Sequence, residues 1–440
     1  MVTVAAEVPT TQTNRALILA VIVVVVGVMA STLPQTAVLG LVPLKNLLKN
    51  SMHLSREATA AFMFWTTLPW YIKPLAGLVQ DAFPMFGSRR RSYMLVGTVL
   101  STATWLLLDI TPYNYRAYLI TALAINFAMM VTLTAVGGYM VEMARASASS
   151  GRLTSVRNVV EQASLLISGV AGGYLAGIDF MWTPIVCGAI TFLLVPIAIW
   201  CLNEERGAAQ TGRQIFKSAG TTLVRVGKAK GLWIAAAIAL LFYFSPGIQT
   251  AQFYSQQNDL HFTTQQQGNL ISINGAFGVL SALLYGVYAA KRFRLKYLLM
   301  VCILIGAAGQ ASYFFYNSYA GARFIDSFNG FGFTLAEVVM MHLAVRATPA
   351  GCESLGFAIM MAVRNFGLYG GDWLGATLQD HFHLSFHTLA VINGGGSLLA
   401  IPLVLLVPAA IIMGRDGDKV DPGAAMAANS SAIQSHSGTG

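Results

Sequence analysis

Apolar runs of about twenty residues recur along the whole chain, and short polar segments carrying most of its Lys and Arg separate them. A run of that length carries a helix across the ~30 Å hydrocarbon core of a bilayer, where each backbone amide must be bonded within its own segment. A membrane barrel would show short alternating strands instead, and this chain lacks them. Only 10% of its 440 residues are charged, too few to cover a water-soluble fold of this size. The net charge of +9 does not point to nucleic acid, because the basic residues sit between apolar runs and form no aromatic-interleaved stripe.

Hydropathy predicts twelve helices, at about 17–42, 57–80, 93–110, 116–141, 156–177, 182–202, 232–254, 266–289, 297–317, 323–345, 354–379 and 386–413. The first run is too long for a signal-peptide core, so it is expected to remain as a helix. With the N-terminus inside, twenty Lys and Arg fall in inner segments and five, Lys45, Lys49, Arg56, Arg116 and Arg323, fall outside. That asymmetry predicts an inner-membrane protein with both termini cytoplasmic. The basic linker 203–230 divides the chain into one six-helix bundle over 1–202 and another over 231–414, and the small, polar tail 415–440 is expected to be disordered. The fold class is therefore all-α membrane protein, two bundles of six helices. A faint internal repeat agrees with the division: Gly77-Leu-Val-Gln-Asp81 before a basic turn is echoed by Gly286-Val-Tyr-Ala-Ala290 before another. Cys187, Cys201, Cys302 and Cys352 have no metal-ligand spacing and are expected as reduced packing residues.

Polar residues inside apolar runs are the best site markers, since a lone charge in hydrocarbon costs a few kcal/mol and must face the bundle interior. The tenth helix carries Asp326 and Glu337, eleven residues apart and so on one face. The eleventh carries Arg364, Asn365 and Asp372. On the seventh, Ser245, Gln249, Gln252 and Gln256 draw one polar stripe beside Pro246. Glu337 and Arg364 are predicted at one depth, as a charge pair that binding disrupts or as a permanent bridge. Asn126 in the fourth helix suits the cavity and an interhelical hydrogen bond equally well. His381, His383 and His387 fall near an outer end without forming a convincing metal set, and no metal is expected.

The turn after the second helix reads Gly77 and Asp81, then Gly87 with Arg89, Arg90 and Arg91. Gly77 would let a neighbouring helix approach, Gly87 would supply a turn, and Asp81 with the arginines would form a charged latch made in one conformation and broken in another.

Three segments together carry a resemblance. They are Pro69-Trp-Tyr-Ile-Lys-Pro-Leu75 with the Asp81-to-Arg91 turn; Phe244-Ser-Pro-Gly247 with Tyr285; and Thr348-Pro-Ala-Gly-Cys-Glu353-Ser-Leu-Gly-Phe357 leading to Arg364-Asn-Phe-Gly367. In these the chain resembles the folate-biopterin transporter family of the major facilitator superfamily, over most of its length and in the family's order. The resemblance implies the major facilitator fold and uptake of folates or related pterins; the chain is expected to work as a monomer. The chain departs from the family in one respect: members often carry acidic residues along the fourth helix, whereas here the acid is Glu142, at its inner end. Substrate and ion coupling are the properties that this departure bears on.

No phosphate-binding loop and no positioned nucleophile occurs, so the chain is expected to be neither an ATP-driven pump nor an enzyme, and to need no cofactor. The residues themselves leave three readings open: a carrier of folates or pterins, possible partners being protons as coupling ions; a carrier of another small amphipathic metabolite; and a receptor or assembly factor that kept the fold. Costly intramembrane charges argue against the last.

Overall fold

The computed structural model describes residues 10–88, 90–146, 150–202, 212–349 and 352–413. The tail beyond 413, most of it expected to be disordered, lies outside that description, as does 203–211 of the linker.

Helices account for almost all of it. Six crossings are long and apolar enough to span a bilayer: the fourth (Tyr115–Met140), sixth (Trp182–Trp200), eighth (Thr264–Arg292), ninth (Leu295–Phe315), tenth (Tyr319–Ala347) and twelfth (Phe386–Val404). The third (Arg91–Asp109), fifth (Ser150–Leu175) and eleventh (Glu353–Phe382) are continuous helices of similar length. The second is stepped, as Arg56–Thr66, Leu68–Tyr71 and Lys73–Ala82, because Pro69 and Pro74 each remove a backbone donor.

The first and seventh crossings depart from the continuous helices predicted for them. The first runs Thr10–Thr32, turns over 33–40 at Pro34, and resumes as Leu41–Asn46 and Leu47–Ser51. The seventh runs Lys230–Tyr243, breaks at Pro246, and resumes as Gln249–Asn258. The helix Gly212–Gly227, which hydropathy read as plain linker, meets the seventh at 71° and rests on Lys73–Ala82.

The two halves pack alike. Third on fourth, third on sixth, first on fourth and first on fifth are matched by ninth on tenth, ninth on twelfth, seventh on tenth and seventh on eleventh. Each half encloses apolar cores of its own, one around Leu48, Met63 and Trp105, another around Val24, Met94 and Val136, and a third around Leu299, Met340 and Leu343 in the second half. Breaks in the first and seventh crossings thus occupy equivalent places.

The halves meet through second against eleventh and fifth against eighth. At the latter crossing a Cβ on Gly173 would lie 2.8 Å from the Thr264 carbonyl and 3.0 Å from Gly268 Cα, so only glycines let these backbones touch. At the face opposite the linker, polar contacts join the halves densely. Arg56 Nε donates to Asp380 Oδ1 at 2.7 Å, the Glu57 amide to Asp380 Oδ2 at 3.0 Å, and His381 Nε2 lies 3.2 Å from Glu57 Oε2. Tyr254 donates to the Leu54 carbonyl at 2.6 Å, and Lys49 to Gln257 Oε1 at 2.8 Å. That face is closed.

Candidate functional site

Beneath the closed face lies a cavity of about 290 Å³. Its walls come from the resumed part of the first crossing, from both sides of the break in the seventh, and from the eighth, ninth, tenth, eleventh and twelfth. Breaking a helix inside a membrane frees backbone groups that need partners, and the way each break is satisfied decides what is left to meet a ligand.

At the seventh break the eleventh crossing supplies the partners. Gly247 donates to the Gly371 carbonyl at 2.7 Å, and Asp372 accepts from the Thr250 amide at 2.8 Å and its hydroxyl at 2.6 Å. Asp372 is 2% exposed and caps the first turn of Gln249–Asn258, where the helix dipole favours a negative charge. Ser245 gives its hydroxyl to the Asn393 carbonyl at 2.6 Å, and the Asn393 amide donates to the Pro246 carbonyl at 2.8 Å. Two candidate site residues, Asp372 and Ser245, are thus engaged in holding the break. Asn126 likewise serves packing: it accepts from Trp70 Nε1 at 3.0 Å and donates to Thr36 and to the Ala122 carbonyl.

The remaining stripe faces the cavity. Gln249, Gln252 and Gln256 line it together with Asp326. Asp326 is 3% exposed and accepts from Tyr313 at 2.5 Å, Tyr316 at 2.8 Å and Gln252 at 3.4 Å. Gln256 donates to Tyr316, and Gln267 to Gln256, so the carboxylate is joined to a chain of amides and phenols. Such a chain can accept and return hydrogen bonds to a flat ligand edge without moving its backbone.

Glu337 and Arg364 meet as the sequence predicts. Arg364 Nε donates to Oε1 at 2.5 Å and Nη2 to Oε2 at 3.2 Å, while Nη1 reaches Asn365 Oδ1 at 3.2 Å. The guanidinium also lies 5.7 Å from the centre of the Tyr243 ring. Tyr243 lines the cavity, so it stands beside both.

Sequence reasoning placed Lys45 in an outer loop, because it ended the first helix at 42. The helix resumes after its turn, and Lys45 is a 4%-exposed residue of the cavity wall. It also passed over His342, whose Nδ1 lies 2.7 Å from the Tyr285 hydroxyl. Spacing does not mark it: five residues after Glu337, it lies about 140° around the helix from that side chain.

In the turn after the second helix, Gly87 takes φ 78° and supplies the turn as expected. Among the described residues Gly77 is not a close-approach glycine, since a Cβ there would stand 3.8 Å from Thr134, an ordinary contact. Arg90 pairs with Glu142 at 2.8 Å and Arg91 donates to the Ile199 carbonyl at 3.1 Å, both inside the first half. Arg89 and the Asp81 side chain lie outside the described residues.

The model of the BT1 family matches residues 37–422 of this chain. A folate-biopterin transporter of Synechocystis is 24% identical over 389 residues, covering 82% of this chain and 77% of its own. Folate transporter 1 of Plasmodium falciparum is 22% identical, over 77% of this chain and 69% of its own. Among solved structures, the nucleoside transporter NupG superposes with a TM-score of 0.67 at 14% identity, over 90% of this chain and 98% of that one. A D-xylose–proton symporter gives 0.65 at 15% identity, over 88% and 96%. These two structures establish the major facilitator fold.

Proposed function

The chain belongs to the BT1 family and is a membrane transporter rather than an enzyme, and from that premise we propose that it moves folates or related pterins by alternating access. The observation that carries the substrate class is the buried cradle of Asp326 with Gln252 and Gln256, set where both broken crossings resume. A pterin presents a planar edge of ring N–H, amino and carbonyl groups, which a carboxylate beside primary amides complements. Interrupted helices at equivalent places in two repeats are where carriers of this architecture place their ligands. The names of the Synechocystis and Plasmodium relatives agree with that class.

The linker face is assigned to the cytoplasm, in the inner membrane, with both termini on that side. With Lys45 withdrawn into the cavity, the charge asymmetry on which this rests sharpens to twenty against four. One chain encloses the whole cavity, which supports a monomer as the working unit. Asp326 and Glu337 are the carboxylates on which a coupling proton would act.

Uptake into proteoliposomes tests the reading. Labelled folate or biopterin should accumulate above protein-free vesicles, faster with an imposed inward proton gradient if the carrier is coupled. Accumulation of an unrelated solute with neither of these would transfer the assignment to another metabolite. Single cysteines within Gly212–Gly227 check the orientation: an impermeant thiol reagent should miss them in intact cells and label them in inverted vesicles.

A further inference from the structure

Lys45 lines the cavity, is 4% exposed, and among the described residues its ammonium has neither a hydrogen bond nor an ion pair. What it has is the Phe253 ring, whose centre lies 5.9 Å away. The carboxylate whose charge acts on it, Asp372, already accepts both the amide and the hydroxyl of Thr250. A buried cation with unused donors is costly to desolvate, and a fold that retains one at a cavity wall gains when a ligand supplies the missing charge. Leu41, Val42 and Lys45 are the three lining residues from the first half, and Lys45 is the polar one.

We propose that Lys45 binds the carboxylate of an anionic substrate, while the cradle around Asp326 and Gln252 in the other half holds that substrate's hydrogen-bonding ring. The ring's identity rests on the folate and pterin reading above; the anion subsite rests on Lys45 alone. A ligand so held touches the first and tenth crossings at once and joins the two halves. Its affinity then differs between conformations that bring those crossings together and apart, which is what a substrate must do to drive the cycle.

The test uses full-length protein as wild type, Lys45→Met and Lys45→Arg. In proteoliposomes Lys45→Met should raise the KM for folate by about tenfold or more, as loss of a charge-assisted contact does. The KM for biopterin, which has no carboxylate, should stay within about twofold. Lys45→Arg should keep part of the folate discrimination. In detergent, p-aminobenzoylglutamate should raise the unfolding temperature of the wild type and leave that of Lys45→Met unmoved. Without ligand, Lys45→Met should unfold at the wild-type temperature or above it, because an unpaired buried charge has been removed. If the wild type takes up neither folate nor biopterin, the substrate reading fails by itself and the unfolding arm still decides the anion subsite. Equal loss for both substrates overturns the proposal. So does an anion-induced shift that survives in Lys45→Met or is absent from the wild type, and so does a Lys45→Met variant less stable than the wild type.

Discussion

At the scale of single residues, this protein separates polar groups that hold the bundle from polar groups left over. Asp372, Ser245 and Asn126 bond to a helix break or a neighbouring helix, while Gln249, Gln252 and Asp326 line the cavity, where Asp326 is bonded to Tyr313, Tyr316 and Gln252. Sequence could mark all six as intramembrane polar residues, but which carboxylate is spent depends on a partner 122 positions away, as with Thr250 and Asp372. The Glu337–Arg364 pair was legible because two helices of opposite direction fix the depth of each residue. Its role is open to a direct test. Glu337→Gln alone leaves a half-buried guanidinium without its carboxylate, and should lower the yield of folded protein. Glu337→Gln with Arg364→Gln removes both charges and should restore folding. Uptake that stays lost in the well-folded double variant assigns the pair to substrate or proton; uptake that returns makes it a structural bridge.

At the scale of elements, most crossings were readable to within a few residues, but the twelfth, expected to run to 413, spans Phe386–Val404, and the breaks in the first and seventh were missed. A hydropathy window averages over Pro34 and Pro246, since neither break removes enough apolar residues to lower the mean. Losing the first break displaced Lys45 from cavity wall to loop. Another signal went unread: His53-Leu-Ser55, His261-Phe-Thr263 and His383-Leu-Ser385 are one turn used three times. Each histidine takes φ between 52° and 54°, and each hydroxyl caps the next helix, on Ala58, Gln266 and Thr388. Histidine is one of the few residues besides glycine that favour the left-handed region, and the Ser or Thr side chain satisfies an orphan amide, so the pattern closes one helix and opens the next. Glycines divide in a similar way, into those a backbone contact requires and those it does not. A Cβ on Gly247 would stand 2.7 Å from the Asp372 amide nitrogen and 2.8 Å from its Cα, whereas one on Gly77 meets Thr134 at 3.8 Å. Gly247→Val should therefore push the seventh crossing off the eleventh, costing on the order of 1–3 kcal/mol or more, and should give aggregated protein on size exclusion. Gly77→Ala should run as a monodisperse peak with near-normal uptake. An aggregated Gly77→Ala variant would show that the turn after the second helix is packed more tightly in some other state.

At the scale of the whole molecule, two halves with equivalent internal packing touch at crossings that differ in kind. Fifth against eighth is a backbone contact between glycines, which slides or separates as a surface with few directional bonds. Second against eleventh carries charge at the face opposite the linker, where Arg56, Glu57, Asp380 and His381 form a cluster shared between the halves. Directional bonds at one edge define a closed state, and a carrier must break them to expose its cavity on that side. The Arg56–Asp380 pair leaves 35% and 20% of its side-chain surfaces exposed, so solvent screening limits it to ~1 kcal/mol. Losing that much should multiply the open-to-closed ratio at this face by about five. The double change Arg56→Gln with Asp380→Asn removes the pair without stranding either charge, and it leaves the cavity walls untouched. Spin labels on cysteines at Arg116 and Arg323, exposed positions at this face in different halves, report the opening as a distance distribution. The long-distance fraction should rise in the double variant. Substrate added to it should still change the distribution, because Lys45 and Asp326 remain in place. A distribution identical to that of the parent would reduce the pair to surface decoration, and closure of this face would then rest on its other contacts between the halves, among them Tyr254 on the Leu54 carbonyl and Lys49 on Gln257.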